Sequence, residues 1–234
     1  YYPHSTITNI KRLVGRKSTN VQLPYETRLN PDGNLEVVIR SDPSESLENA
    51  LKIRPVIIVS KMLKYLKEVA ENYLSLSVTG IVLTAPAYFD ELQKNELREA
   101  GRIADIEVRE IISEPTAAAL CYKTEEKKNV LVYDIGGGTL DITLLVCHGF
   151  TYSPITKIGD PELGGINFTE IIYDFLVNKF QAQNPTLPDI TKVPSKVSKI
   201  RMHAEEIKVQ LSEKTSLDIK LDGFYKKKSL EATL

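Results

Sequence analysis

Asn129 to Cys147 reads NVLVYDIGGGTLDITLLVC. Val130, Leu131, Val132 and Tyr133 form an apolar, β-branched run, and Ile142 to Val146 form a second; each suits a buried strand. Between them lie Gly136, Gly137 and Gly138. Glycines can take up positive φ and carry no Cβ, so the chain can fold back sharply here and turn its N–H groups toward an anion such as a phosphate. Asp134 closes the first strand, Thr139 follows the glycines and Asp141 opens the second strand, so two carboxylates and a hydroxyl frame one small space. Carboxylates beside a phosphate repel it unless a cation bridges them, and magnesium is the usual choice. On these residues alone, a glycine-rich β-hairpin whose aspartates merely punctuate the strands is an equal alternative.

Working outward, strands and helices alternate before the hairpin. The first fifty residues are polar and broken by Pro3, Pro24, Pro31, Gly33 and Pro43, with a strand expected at Leu35 to Ile39. From Pro55 the period becomes helical, with Ile58, Met62, Leu66, Val69 and Tyr73 on one apolar face and Met62 as core filler. Val78 to Thr84 suits a buried strand stopped by Pro86. Asp90 is an N-cap with Gln93 as its capping-box partner, opening a helix to about Ala104. Glu107 to Ile112 is another strand, and Glu114 and Pro115 open an alanine-rich helix. This alternation predicts a mixed sheet with helices on its faces.

After the hairpin a strand is expected at Thr151 to Ile158. Gly164 and Gly165 lead into a helix with apolar positions Phe168, Ile171, Ile172, Phe175 and Phe180. A loop with Pro185, Pro188 and Pro194 precedes a long helix with Val197, Ile200, Ala204, Ile207 and Leu211 on one face. Glu205, Lys208 and Ser212 line up on another face, which by itself reads as a solvated stripe with one salt bridge. Lys11 and Arg12, just before Leu13 and Val14, read by themselves as surface charge.

The 234 residues suffice for one or two domains with a sizeable core. Lys plus Arg number 30 against 31 Asp plus Glu, a net charge of −1, so no overall field draws the chain to nucleic acid or to a membrane surface. The basic run Lys226 to Lys228 is a solvated turn. Cys121 and Cys147 sit in apolar patterns without metal-like spacing and are expected as buried free thiols. No apolar run approaches the ~20 residues of a membrane-spanning helix, and there is no secretory signal.

Five segments carry a resemblance: KRLVGRK at Lys11 to Lys17, TAPAYF at Thr84 to Phe89, EPTAAA at Glu114 to Ala119, DIGGGTLD at Asp134 to Asp141 and GDPELGG at Gly159 to Gly165. In this order and at these separations they closely resemble the ATPase domain of the seventy-kilodalton heat-shock (DnaK-type) chaperone family. The resemblance implies an α/β, actin/hexokinase-like (ribonuclease H-like) fold with two lobes around a nucleotide cleft. It implies a peripheral subdomain of the first lobe at 1–50 and its core subdomain at 51–124. The core subdomain of the second lobe would lie at 125–163 and its peripheral subdomain at 164–234. The family's first phosphate hairpin, of the kind GIDLGTT, and its later GGxxRxP-type loop have no counterpart here. The expectation is therefore an incomplete domain that, alone, binds ATP weakly and does not turn it over.

The resemblance also implies roles. Lys11 would hold the γ-phosphate and orient the attacking water; Glu114 and Asp134 would act through magnesium-bound water; Gly136, Gly137, Gly138 and Thr139 would hold phosphate oxygens. Asp141 would orient the loop or bind a monovalent cation such as potassium. Gly165, Glu205, Lys208 and Ser212 would contact the nucleotide, the last three at adenosine. Pro86 would be a switch between nucleotide states, with Lys94 in place of the arginine that usually relays to it. The implied cofactors are ATP or ADP with magnesium. The implied partners are unfolded polypeptides (through a substrate-binding domain absent here), a J-domain co-chaperone and a nucleotide exchange factor, and the implied compartment is the cytoplasm.

The sequence departs from the family pattern at several positions. Glu110 reverses a charge at the J-domain contact, although Arg109 adjoins it; Val209 replaces an arginine that stacks on adenine; Ile166, Asn167 and Thr169 replace acidic residues. Two other readings stay open: a non-hydrolysing nucleotide-holding relative acting as a co-chaperone or ribosome-associated partner, and a small-molecule kinase or actin-like protein of the same fold.

Overall fold

A computed structural model describes residues 6–17, 23, 25–42, 44–122 and 124–234, so that Pro3, Pro24 and Pro43 lie outside the described residues. The chain divides into two compact units, residues 1–162 and 163–234.

The first unit opens with a 3₁₀ turn at Ile10–Arg12, followed by strands β1 (Glu26–Leu29), β2 (Leu35–Ile39) and β3 (Leu51–Ile53) in an antiparallel sheet. Leu35 and Val37 of β2 pack with Leu13 and Tyr25. Helix α1 (Pro55–Leu74) begins on the expected proline. Its predicted apolar face is not core, because the helix is buried only at Pro55, Val56 and Ser60, near its start, while Met62, Leu66, Val69 and Tyr73 are exposed. Period thus located the helix without locating its cover.

Strand β4 (Gly80–Ala85), helix α2 (Glu91–Ile103) and strand β5 (Glu107–Ser113) form a parallel β-α-β crossover. The α2 start forms as read from sequence: the Asp90 carboxylate accepts from the Gln93 N–H at 2.8 Å, and the Gln93 side chain accepts from the Asp90 N–H at 3.2 Å. Helix α3 (Glu114–Leu120) follows β5 at once, and strands β6 (Thr124–Ile135), β7 (Leu140–Gly149) and β8 (Thr151–Asp160) make an antiparallel sheet in that order. The strands before the hairpin do not share the expected mixed sheet: β1-β2-β3 is antiparallel, β4-β5 is a separate parallel pair, and β6-β7-β8 forms a further antiparallel sheet.

Side chains alternate strictly along β7: Asp141, Thr143, Leu145 and Cys147 are buried. Leu145 and Cys147 pack with Ala119 of α3 and with Val130, Val132 and Tyr152. On the opposite face Leu131, Tyr133 and Ile158 are exposed, so the hairpin strands are buried on one side only. Cys121 is exposed, contrary to expectation, because it lies past the end of α3, whose buried residues are Pro115 and Ala119.

In the second unit, helix α4 (Gly165–Gln183) and helix α5 (Pro194–Leu211) enclose a core with a hairpin of β9 (Asp218–Tyr225) and β10 (Lys228–Thr233). Leu176, Phe180, Ile190, Ile200 and Leu230 form its interior, and the Phe180 ring lies 5.0 Å from that of Phe224. The α5 face predicted from Ile200, Ala204 and Ile207 is buried, whereas Phe168 and Ile171 of α4 are exposed. The hairpin was not anticipated, although Lys226 and Lys227 do form its exposed turn, with φ 46 and 63. No helix among the described residues is long and apolar enough to cross a membrane.

Candidate functional site

In the first unit the site grows from the β6-β7 hairpin. Asp134 and Asp141 are direct cross-strand partners and therefore project from the same face of the sheet, at its glycine end. The turn is closed by the Gly136 N–H donating to the Thr139 carbonyl at 2.9 Å. None of the three glycines has positive φ, so of the two expected reasons only the missing Cβ applies. At Gly138 the reason is space: an added Cβ would lie 3.2 Å from Nε of Arg12.

Two further segments reach this end of the sheet. The 3₁₀ turn brings Lys11, whose Nζ lies 2.7 Å from Oε1 of Glu114, the first residue of α3. The segment that follows is fixed against α2: Gln93 Nε2 donates to the Val14 carbonyl at 3.2 Å. Gly15, at φ 66, comes so close that a Cβ would meet the Gln93 backbone at 2.7 Å. Beyond Pro86, the backbone of Ala87 is held through both of its peptide units. Its N–H donates to Oδ1 of Asp141 at 3.3 Å, and its carbonyl accepts from Nζ of Lys157 on β8. A cavity of about 230 Å³ opens here between Tyr88, Asp141, Lys157 and Pro161.

The electrostatics mark Asp141. It is 3 % exposed, and its Oδ2 has no hydrogen-bond partner. Burial pushes its carboxyl above the usual aspartate range. The Ala87 N–H opposes that shift, the charge of Glu114 adds to it, Lys11 opposes it and Asp134 adds to it. The Tyr88 phenol is pushed up to about 12, first by burial and then by the Asp141 charge, with a hydrogen bond to Thr139 acting in the other direction. Glu114, Asp134 and Asp141 thus concentrate negative charge around an orphaned carboxylate oxygen, which fits a cation. Among the described residues no three His, Cys, Asp or Glu side chains stand close enough to ligate one directly. The fit is to an ion held through water or with oxygens of a ligand.

The second unit has a separate polar cluster. Nζ of Lys208 lies 2.7 Å from Glu205, 3.1 Å from the Thr169 hydroxyl and 3.2 Å from the Gly165 carbonyl, while Thr169 donates to Glu205 at 2.5 Å. The Lys208 and Thr169 hydrogen bonds, in that order, hold the Glu205 carboxyl below the usual glutamate range. Gly165, Glu205 and Lys208 are therefore brought together. Ser212 instead bonds the Lys208 carbonyl of its own helix at 3.3 Å, and Val209 is exposed. Asn167 accepts from the Gly164 N–H at the start of α4. Lys94 pairs with Glu91 on the surface of α2, and Glu110 is exposed beside Arg109.

Sequence reasoning missed three contributors: Arg12, taken for surface charge but buried; Thr169, noted only as a departure; and Lys157. The contacts of Lys11 with Glu114 and of Arg12 with the hairpin's Gly138 span 103 and 126 residues and leave no local signal.

The Hsp70 protein family profile matches residues 2–234. Chaperone protein dnaK3 of Synechococcus elongatus is 36% identical over 226 residues, covering 94% of this chain and 29% of that protein. Chaperone protein DnaK of Akkermansia muciniphila is also 36% identical over 226 residues, covering 94% of this chain and 34% of that protein. The fold is of the α/β, actin/hexokinase-like ATPase class. The chain belongs to the Hsp70 family, and it spans about a third of the length of these curated relatives.

Proposed function

We propose that the chain is part of the ATP-binding domain of a chaperone, and that the complete domain hydrolyses ATP to ADP and phosphate and couples this to binding and release of unfolded polypeptides. The observation that supports the reading is the convergence of the Lys11 and Glu114 pair, at 2.7 Å, with the aspartate-flanked glycine turn. Magnesium, when bound, neutralises phosphate charge and orders water. Glu114 and Asp134 hold that ion through water, and Asp134 accepts a hydrogen bond from the attacking water. Asp141 keeps the Ala87 peptide and the turn in register and is the candidate partner of a monovalent cation. Lys11 stabilises charge developing at the γ-phosphate. Gly137, Gly138 and Thr139 offer donors to phosphate oxygens; in the second unit Gly165 is the candidate nucleotide contact and Glu205, Lys208 and Ser212 are the candidate adenosine contacts.

In this reading the Ala87 peptide links Pro86 to Asp141, which lets the state of the site bias the chain at Pro86. Unfolded polypeptides, a J-domain co-chaperone and a nucleotide exchange factor are the partners, and the cytoplasm is the compartment. The test is single-turnover hydrolysis of magnesium-ATP by the protein that carries this chain. Lys11→Ala and Asp134→Ala are each expected to slow it about 100-fold, with much smaller changes in nucleotide affinity. Rates unchanged by both substitutions overturn the reading.

A further inference from the structure

We infer that Arg12 is a positioning residue for the glycine turn: by gripping the Gly138 carbonyl it holds the N–H of the same peptide unit, that of Thr139, on the opposite side as a phosphate donor. The inference rests on the reading of this turn as a phosphate cradle. Arg12 is 8 % exposed, and its Nη2 lies 2.5 Å from the Gly138 carbonyl and 3.3 Å from the Glu162 carbonyl. Its Nε is buried without a partner. A guanidinium placed only for stability has little reason to leave a buried donor orphaned, so the placement answers another requirement.

That requirement is visible in the peptide it holds. No described peptide bond is cis, and in a planar trans peptide the carbonyl and the N–H point in opposite directions. Fixing the Gly138 oxygen on Arg12 therefore fixes where the Thr139 N–H points. The Gly136 N–H bonds the Thr139 carbonyl, but the reciprocal bond from the Thr139 N–H to the Gly136 carbonyl is not formed. The N–H is thus held in direction and makes no backbone hydrogen bond of its own, at a residue only 7 % exposed. The guanidinium lies against the Cα of Gly138, since a Cβ there would meet Nε at 3.2 Å and Nη2 at 3.5 Å. One short turn, Ile10–Arg12, then delivers two cations with different tasks: Lys11 toward Glu114 and the ligand, and Arg12 to the rear of the loop that holds the ligand. The second carbonyl, that of Glu162, ties the end of the segment after β8 to the same anchor.

The test uses Arg12→Lys, which keeps the charge but cannot span two carbonyls from a planar fork, and Gly138→Ala, which presses on the guanidinium from the other side. Two measurements are made on the protein that carries this chain. One is single-turnover hydrolysis of magnesium-ATP; the other is the Thr139 amide resonance during titration with magnesium-ADP. Each variant is expected to slow hydrolysis about tenfold or more and to abolish most of the Thr139 shift seen in the wild type. The double variant is expected to be little worse than either alone, because both act through one peptide. Hydrolysis within twofold of wild type in Arg12→Lys, or strictly additive losses in the double variant, overturns the role of Arg12 and leaves the proposed function standing. A wild type that shows the Thr139 shift but no hydrolysis, with the shift lost in Arg12→Lys, upholds the inference and removes the hydrolytic reading. A wild type with neither overturns both. Should Arg12→Lys fail to fold, Gly138→Ala with an unchanged Thr139 shift is the overturning result.

Discussion

Replacing Asp141 by asparagine should stabilise the protein at neutral pH while impairing its site. The carboxylate is 3 % exposed, one oxygen accepts a single long hydrogen bond from the Ala87 N–H, and the other has no partner. An unsatisfied buried polar group costs about 1–3 kcal/mol, and here negative charge from Glu114 and Asp134 adds to the cost. Asparagine keeps the acceptor for Ala87 and removes the charge, but its amide N–H must find an acceptor, so a gain of about 1–2 kcal/mol is expected. That corresponds to a rise in Tm of roughly 2 to 8 °C for a domain of this size.

The pH dependence separates this cause from simple repacking. Burial raises the Asp141 pKa in the folded chain, so its contribution is most favourable below the ordinary aspartate value near 3.8 and is lost as pH rises through the raised value. The advantage of Asp141→Asn is therefore larger at neutral pH and shrinks as pH falls toward the ordinary value. Urea unfolding of both proteins from pH 4 to pH 8, without nucleotide, reads this directly. An asparagine variant that is less stable at pH 7, or one whose gain does not change with pH, refutes the reasoning. The native aspartate is then a stability cost kept at a site of function, a pattern expected where a cation or phosphate is handled.

Thr169→Val removes the hydroxyl shared by Glu205 and Lys208 and should cost about 1 kcal/mol in urea unfolding. The lowered Glu205 pKa contributes stability that is present above its ordinary value and lost as pH falls through the lowered one, so the variant should lose that contribution at a higher pH. Phe180→Ala empties a fully buried position beside Phe224 and Tyr225 and should cost about 3–5 kcal/mol, measured by denaturant unfolding. Val209 is exposed on α5, and Val209→Arg should tighten ATP binding by at most about tenfold in calorimetry by stacking on the base; unchanged or weaker binding counts against that geometry.

The features legible in the sequence are ones whose cause lies within a few residues. The Asp90 and Gln93 capping box closes on neighbours three positions apart, Pro55 opens α1, and the apolar period of α5 names the buried Ile200, Ala204 and Ile207. The hairpin from Asp134 to Asp141 was legible because a two-residue period fixes the face on which both carboxylates stand. The five motifs carried the family, and with it the expectation that Lys11, Glu114 and the hairpin share one site. Tertiary structure alone decided the rest. Period says that a helix has an apolar side but not whether anything covers it, so Met62 and Tyr73 of α1 are exposed where a core was expected. Composition gave Arg12 a surface charge; contacts to Gly138 and Glu162, 126 and 150 residues away, make it a buried anchor. The Gly136 to Gly138 run suggested positive φ, yet the constraint at Gly138 is the guanidinium packed against it, a contact that no local pattern of residues encodes.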